Sequence, residues 1–336
     1  MAAIDCGTNS IRLLVADLPE PSAGPDAGLV DVVRRMEIVR LGQDLDRTGW
    51  LAPEALERTR RVLIGYATRI ESLGVARVRM CATSASRDAQ NAGEFRSMVV
   101  DTLGVEPEVV TGDEEARLSF IGAVRGLGAD VAAPYLVVDI GGGSTEFVVG
   151  GRPTGGGAAD VDAAVSVANG DAAVSVAAVD AAVSMDIGCV RMTERHLHGD
   201  PPTPEEVAAA EAEITAVVDR ALSAVPGREA ATLIGVAGSV TTVVGIALGL
   251  PEYRPDRIHH ARLSYAEVAK ATADLLARSV AERLTIPVMH PGRADVIGAG
   301  ALILRIIMER AGMTSVIASE HDILDGIAWS LAQTSG

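Results

Sequence analysis

A chain of 336 residues is longer than one hydrophobic core usually supports, and a hydrophobic content of 48% is enough to fill two. The formal net charge of -16 argues against non-specific binding to nucleic acid or anionic membranes, since both rest on basic surface. Lys270 is the single lysine among 29 basic residues, so phosphate contact would have to come from arginine, backbone N–H groups or a metal ion.

The chain begins with strand-like residues at 2–5 and 11–17, and further apolar runs predict strands at 28–40, 76–82 and 106–111. Between them, helical periodicity marks 53–73, 88–103 and 114–126. The second part repeats the alternation, with strands at 135–140, 146–150, 184–190, 232–236 and 314–318 and helices at 204–224, 264–283, 293–311 and 320–333. Such alternation implies an α/β protein whose sheets are covered by helices. The stretch 230–250 has no charge and the length of a membrane span, but its four glycines and Ser/Thr cluster fit a strand, a turn and a helix start better. Cys6, Cys81 and Cys189 lie far apart in apolar runs, as buried thiols of a reducing compartment would. With strand-like residues from Ala2 onward no secretory leader is expected, and the expected location is cytoplasmic.

A repeat organises the chain. The run Ile4-Asp5-Cys6-Gly7-Thr8-Asn9-Ser10-Ile11-Arg12 aligns with Val138-Asp139-Ile140-Gly141-Gly142-Gly143-Ser144-Thr145-Glu146 at a constant offset of 134. Each copy reads as an apolar strand ending at Asp, a glycine-containing turn and a returning strand, that is, a β-hairpin with a polar tip. Glycine lets backbone N–H groups approach an anion, and Ser, Thr or Asn adds neutral donors. An Asp at the strand end would repel a phosphate unless a divalent cation or a positioned water lay between them.

These residues also carry a resemblance. "AIDCGTNSIRLLVAD" (3–17) and "VVDIGGGSTEFVVG" (137–150) resemble the two phosphate motifs of the actin-like ATPase-domain superfamily. "RMCATSASRDAQNAGEF" (79–95), "VVTGDEEARLSFIGAV" (109–124), "SMDIGCVRMTERHL" (184–197), "GVAGSVTTVVGIALGL" (235–250) and "GRADVIGAGALIL" (292–304) resemble, in order, segments of the exopolyphosphatase and guanosine pentaphosphate phosphatase (Ppx/GppA) family. The resemblance spans nearly the whole chain and suits the short, two-domain members.

The resemblance implies two ribonuclease H-like (actin-like ATPase) domains, 1–126 and 127–310, with an active-site cleft between them and the helix at 320–336 returning to the first. It implies hydrolysis of a terminal phosphoanhydride, releasing orthophosphate from inorganic polyphosphate or converting pppGpp to ppGpp. The family's catalytic glutamate falls on Glu115. With Asp113 as the expected N-cap, Glu114 and Glu115 would occupy a first helical turn, where acids also complement the helix dipole. By matching positions, Asp5, Gly7, Thr8, Asn9, Ser10, Gly141, Gly142, Gly143, Ser144 and Thr145 would cradle phosphates. Asp139 and Glu146 would hold Mg²⁺, or another divalent cation such as Mn²⁺. Arg12 and Arg87 would grip phosphate or form ion pairs, and Gly238 and Ser239 would contact a nucleotide or open a helix.

His259-His260 and His290 fit structural or loop roles better than metal binding, having no Cys or acid at suitable spacing. One tract departs from the family: "DAAVS" recurs at 162, 171 and 180, within an insertion at about 155–183 that reads as an extended hairpin or loop. A kinase of the same superfamily, an adenine-nucleotide phosphatase and a non-catalytic alarmone or polyphosphate sensor are the competing functions. A homodimer is left open.

Overall fold

The computed structural model describes residues 1–19, 28–128, 130–151, 166–167, 174–175 and 178–333. Its strands and helices run, in chain order, β1 (Ala2–Cys6), β2 (Ser10–Asp17), β3 (Val30–Ile38), α1 (Leu45–Thr48), α2 (Pro53–Ser72), β4 (Val78–Ala82), α3 (Ser84–Asp88), α4 (Ala92–Leu103), β5 (Glu108–Val109) and α5 (Gly112–Val124). The chain continues with β6 (Tyr135–Ile140), β7 (Thr145–Gly150), β8 (Ser166–Val167), β9 (Val174–Ser175), β10 (Val179–Met185), α6 (Cys189–His196) and α7 (Pro204–Ala224). It ends with β11 (Thr232–Val236), α8 (Ala237–Ala247), α9 (Pro255–Ile258), β12 (Arg262–Ser264), α10 (Tyr265–Ala277), α11 (Val280–Arg283), α12 (Ile297–Ala311), β13 (Ser315–Ala318) and α13 (Ile323–Gln333).

Two units divide these elements: Met1–Gly128 with Thr154–Val179 and Asp322–Gly336, and Ala129–Pro153 with Asp180–His321. In the first unit the sheet order is β3-β2-β1-β4-β5. β1 pairs antiparallel with β2 and β2 with β3, whereas β1, β4 and β5 run parallel. All five residues of β1 are buried, as a central strand covered on both faces requires. α2 opens on Pro53 and buries Ala55, Thr59, Leu63, Tyr66 and Ile70, the stripe a 3.6-residue period places on one side. On α5 and α13, the Cβ of any residue replacing Gly122 would lie 1.9 Å from the Asp322 carbonyl oxygen. Glycine alone permits that approach, and it brings the first turn of α13 against α5.

The second unit repeats the order as β10-β7-β6-β11-β13, with β12 added at the edge. β6 is antiparallel to β7 and parallel to β11, which is parallel to β13. This is the α/β architecture, with two ribonuclease H-like sheets, that the alternation and the resemblance imply. α12 is buried nearly all round, because most of Ile297–Ala311 is apolar and joins one core with β6, β7, α7, α8 and α10. No helix among the described residues is long and apolar enough to cross a membrane.

Several boundaries differ from the sequence-based expectation. The strand expected at 184–190 ends at Met185, and Cys189–His196 is helical, because Gly188 lets the chain turn hard against the loop at 142–143. The helix expected at 264–283 is two helices: Ser279 and Glu282 form their own capping box and restart it. The helix expected at 88–103 begins at Ala92, with the separate short α3 before it. The short β12, three residues long, offered no readable alternation. Thr111 rather than Asp113 is the N-cap of α5, its hydroxyl accepting from Glu114 N, so Asp113 joins Glu114 and Glu115 in the first turn. Of the repeated tract, the third copy, Asp180–Ser184, lies in β10. The first two copies lie outside the described residues apart from 166–167 and 174–175, where β8 and β9 pair antiparallel.

Candidate active site

In the first unit the β1–β2 hairpin closes with Gly7 N donating to Ser10 O at 2.9 Å. A strap following β3 supports its tip: Val39 N and Arg40 N donate to Asn9 O at 3.0 and 2.8 Å, and Gly42 N to Thr8 O at 2.9 Å. A trans peptide points its N–H opposite to its C=O. Carbonyls of residues 8 and 9 held by the strap therefore turn the N–H groups of Asn9 and Ser10 the other way. The Thr8 hydroxyl is fixed by Ser84 Oγ at 2.8 Å.

Asp5 and Arg12 are direct cross-strand partners. Arg12 donates through Nε and Nη2 to Asp5 Oδ2, at 2.9 and 2.7 Å, and through Nη1 to Asp322 Oδ2. Burial pushes the Asp5 carboxyl above its ordinary range, against the pull of the Arg12 guanidinium, and Asp322 adds to the rise. The same two carboxylates hold Arg12 firmly charged in spite of its burial. Asp5 Oδ1 and Asn9 Oδ1 are buried with no hydrogen-bond partner in the structure.

Glu115 sits in the first turn of α5, 7% exposed. Arg87, at the end of α3, donates through Nη1 to Glu115 Oε2 at 3.1 Å and to Val110 O at 3.0 Å. Glu114 points elsewhere, to Arg79 at 2.8 Å. The two acids of one dipeptide thus have separate arginines.

In the second unit the β6–β7 hairpin closes in the same way, with Gly141 N donating to Ser144 O at 3.0 Å. Here the support is α6. Cys189 N donates to Gly141 O at 2.9 Å, Val190 N and Arg191 N donate to Gly142 O at 2.9 and 3.1 Å, and Arg191 Nε donates to Gly143 O at 2.8 Å. With three successive carbonyls held by α6, the N–H groups of Gly142, Gly143 and Ser144 face away from it. Thr145 Oγ1 donates to Ile187 O at 2.6 Å and is turned from the tip. A Cβ at position 188 would lie 2.3 Å from Gly142 O, so the contact demands glycine.

Asp139 and Glu146 are cross-strand partners and therefore share a face of the sheet; both are buried. Ser184 Oγ donates to Glu146 Oε1 at 2.7 Å. Two buried carboxylates directly opposite one another repel unless positive charge accompanies them. Hard oxygen donors in such a pair suit Mg²⁺ or Mn²⁺, and Mg²⁺ is commonly held by one or two carboxylates with water and phosphate completing the shell. Among the described residues no group of three or more His, Cys, Asp or Glu is placed to hold a metal.

Gly238 and Ser239 lie in the first turn of α8, preceded by Ala237 at φ 68, a left-handed conformation uncommon without glycine. His259 and His260 stack at 3.7 Å, with the His321 ring 4.5 Å from His259. His290 Nδ1 accepts from Gly292 N at 3.1 Å. The three thiols are buried and free, and burial pushes Cys81 up to about 12, which leaves it protonated and unreactive. Asp322, the strap at 39–42, Arg191 and Ser184 went unnoticed in the sequence. Each supports a hairpin from a distant segment: Ser184 and Arg191 lie within the motif at 184–197, which does not mark these side chains, and the pairing of Asp322 across 310 residues leaves no local signature.

A duplicated ribonuclease H-like unit, with a glycine hairpin turned N–H outward in each copy, defines a protein built to handle phosphoryl groups. The chain belongs to the Ppx/GppA phosphatase family, whose model matches residues 22–334. It is 45% identical over 342 residues to exopolyphosphatase 2 of Mycobacterium tuberculosis, covering 99% of this chain and 98% of that protein. It is 30% identical over 330 residues to the bifunctional 3-dehydroquinate synthase/phosphatase of Fusobacterium nucleatum, covering 97% of this chain and 45% of the relative. Among solved structures, an exopolyphosphatase-like protein superposes with a TM-score of 0.87 at 40% identity, over 99% of this chain and 98% of the other. The Ppx/GppA enzyme of Aquifex aeolicus gives 0.75 at 28% identity, over 98% of both chains.

Proposed function

We propose that the protein is an exopolyphosphatase that hydrolyses the terminal phosphoanhydride of inorganic polyphosphate and releases orthophosphate. The full-length likeness to an exopolyphosphatase supports the reaction class. The observation that carries the site is the buried Asp139–Glu146 pair behind a glycine loop whose N–H groups are turned outward.

The backbone N–H groups of Asn9 and Ser10, and those of Gly142, Gly143 and Ser144, bind phosphoryl oxygens, with the Ser10 and Ser144 hydroxyls as further donors. Asp139 and Glu146 would hold the divalent cation. When bound, that cation neutralises charge on the phosphates and on the transition state. Glu115 accepts a hydrogen bond from the attacking water and orients it, while Arg87 fixes the carboxylate through its Oε2. Positioning and charge stabilisation are most of what phosphoryl transfer asks of a protein. Arg12, committed to two carboxylates, orders the hairpin and does not grip substrate.

The test is phosphate release from purified protein across polyphosphates of several lengths, pppGpp, ATP and ADP, with Glu115→Gln in parallel. Polyphosphate is expected to be cleaved fastest, and the variant to lose about 10²- to 10⁴-fold, the range for removing a general base. Preference for pppGpp or ATP would reassign the substrate. Unchanged turnover in Glu115→Gln would remove Glu115 from the reaction.

A further inference from the structure

Asp322 reaches the first hairpin from the far end of the chain. Its own place is fixed from several directions. Oδ1 accepts from Leu324 N at 3.0 Å, and its main-chain N donates to Asp325 Oδ2 at 3.2 Å. Its carbonyl oxygen occupies the space over Gly122. Asp325 is in turn gripped by the Arg34 fork, at 2.6 and 3.1 Å. Asp322 is 3% exposed, so the carboxylate it presents to Arg12 is part of the core.

Arg12 therefore lies between two immobile acids, with Nε and Nη2 on Asp5 and Nη1 on Asp322. A guanidinium holding a single carboxylate would be drawn to a polyanion arriving at the adjacent loop. One holding two stays with the protein. The effect on Asp5 is specific: Oδ2 is spoken for, and Oδ1 is buried without a partner. A buried carboxylate oxygen in that condition is costly unless a donor arrives from water or ligand.

We infer that Asp322 is a positioning residue for the phosphate hairpin, acting through Arg12 to hold the Asp5 carboxylate with Oδ1 open to a donor brought in with the phosphate chain. The inference rests on the hydrolase reading above. The charged and titratable groups facing Asp5 are Arg12 on β2, Asp322 on α13, Cys6 beside it on β1 and Cys81 on β4. Burial keeps both thiols neutral across the working range, so the two carboxylates and the guanidinium decide its state.

Asp322→Asn keeps the volume and the acceptor for Leu324 N while removing the charge. With polyphosphate, kcat is expected to fall about 10- to 100-fold, the usual cost of losing a group that orients a ligating residue, with KM equal or lower. Combined with Asp5→Asn it should add nothing to the loss from Asp5→Asn alone. Arg12→Lys, whose ammonium cannot span both acids, is expected to show the same kcat loss, and it covers the case in which Asp322→Asn folds poorly. A readout independent of turnover is the carboxyl-carbon NMR titration of Asp5, which should move to lower pH in Asp322→Asn because a repelling neighbour is gone. Unchanged kcat, multiplied losses in the double variant, or an unmoved Asp5 titration would each overturn the inference. If the wild type released no phosphate from any substrate, the hydrolase reading would fall, and the titration alone would decide whether Asp322 sets the state of Asp5.

Discussion

The two hairpins share a backbone and differ in charge. Each closes with a glycine N–H on a serine carbonyl three residues later, and each has its tip carbonyls held from behind, by the strap at 39–42 in one copy and by α6 in the other. Yet where the first copy has Arg12 the second has Glu146, so the cross-strand partner of the strand-end Asp is a cation in one and an acid in the other. The first acid faces a guanidinium across the strands, while the second faces another carboxylate. The turn is thus set by glycine and backbone hydrogen bonds, and the electrostatic task is set separately by one side chain opposite the Asp. Unrelated supports have converged on one requirement, which is to fix the carbonyls so that the N–H groups face outward.

Exchanging those side chains should break the difference most sharply. Glu146→Arg would give the second hairpin the pairing of the first, and phosphate release titrated against Mg²⁺ should fall about 10³-fold, as expected when several kcal/mol of charge stabilisation are lost. The reverse change, Arg12→Glu, would leave three acids together in a buried place. It should cost about 3–5 kcal/mol in denaturant unfolding, the range for breaking a buried ion pair. A smaller contrast separates the glycines. A Cβ at 141 would meet Ser144 O at 3.0 Å, whereas one at 7 would meet Ser10 O at an ordinary 3.6 Å. Gly141→Ala should therefore raise KM for polyphosphate severalfold, and Gly7→Ala should leave it near wild type.

The smallest effect concerns pH. Because burial raises the Asp5 carboxyl in the folded state, its favourable contribution is complete below the unfolded value of about 4 and is lost as pH rises through the folded value. Relative to wild type, Asp5→Asn should therefore gain in Tm as pH increases across that window. A constant difference between the two would mean that Arg12 offsets burial and leaves no net shift on Asp5.

Both sheets could be read in the sequence because their central strands are apolar and run into glycine turns, and because the 134-residue offset exposes the duplication. The hairpins followed from the same repeat. What escaped reading was whatever depends on distant contacts. Gly188 has no mark distinguishing a close approach from an ordinary turn, although a Cβ there would strike Gly142. The break between α10 and α11 was written in the sequence as Ser279 and Glu282, but continuous helical periodicity across it concealed the cap. Arg87 reads equally as a phosphate ligand and as an ion-pair partner, and only coordinates place it on Glu115.

The way α13 joins β1, β2 and α5 bears on how the molecule comes into being. Ile323, Leu324, Ile327 and Ala328 cover Ala3, Leu14 and Leu118 in a core that the opening residues cannot complete alone. Without α13 that face of the sheet would stay apolar and uncovered, with Arg12 only half neutralised. A chain interrupted before Asp322 would therefore offer chaperones a lasting target.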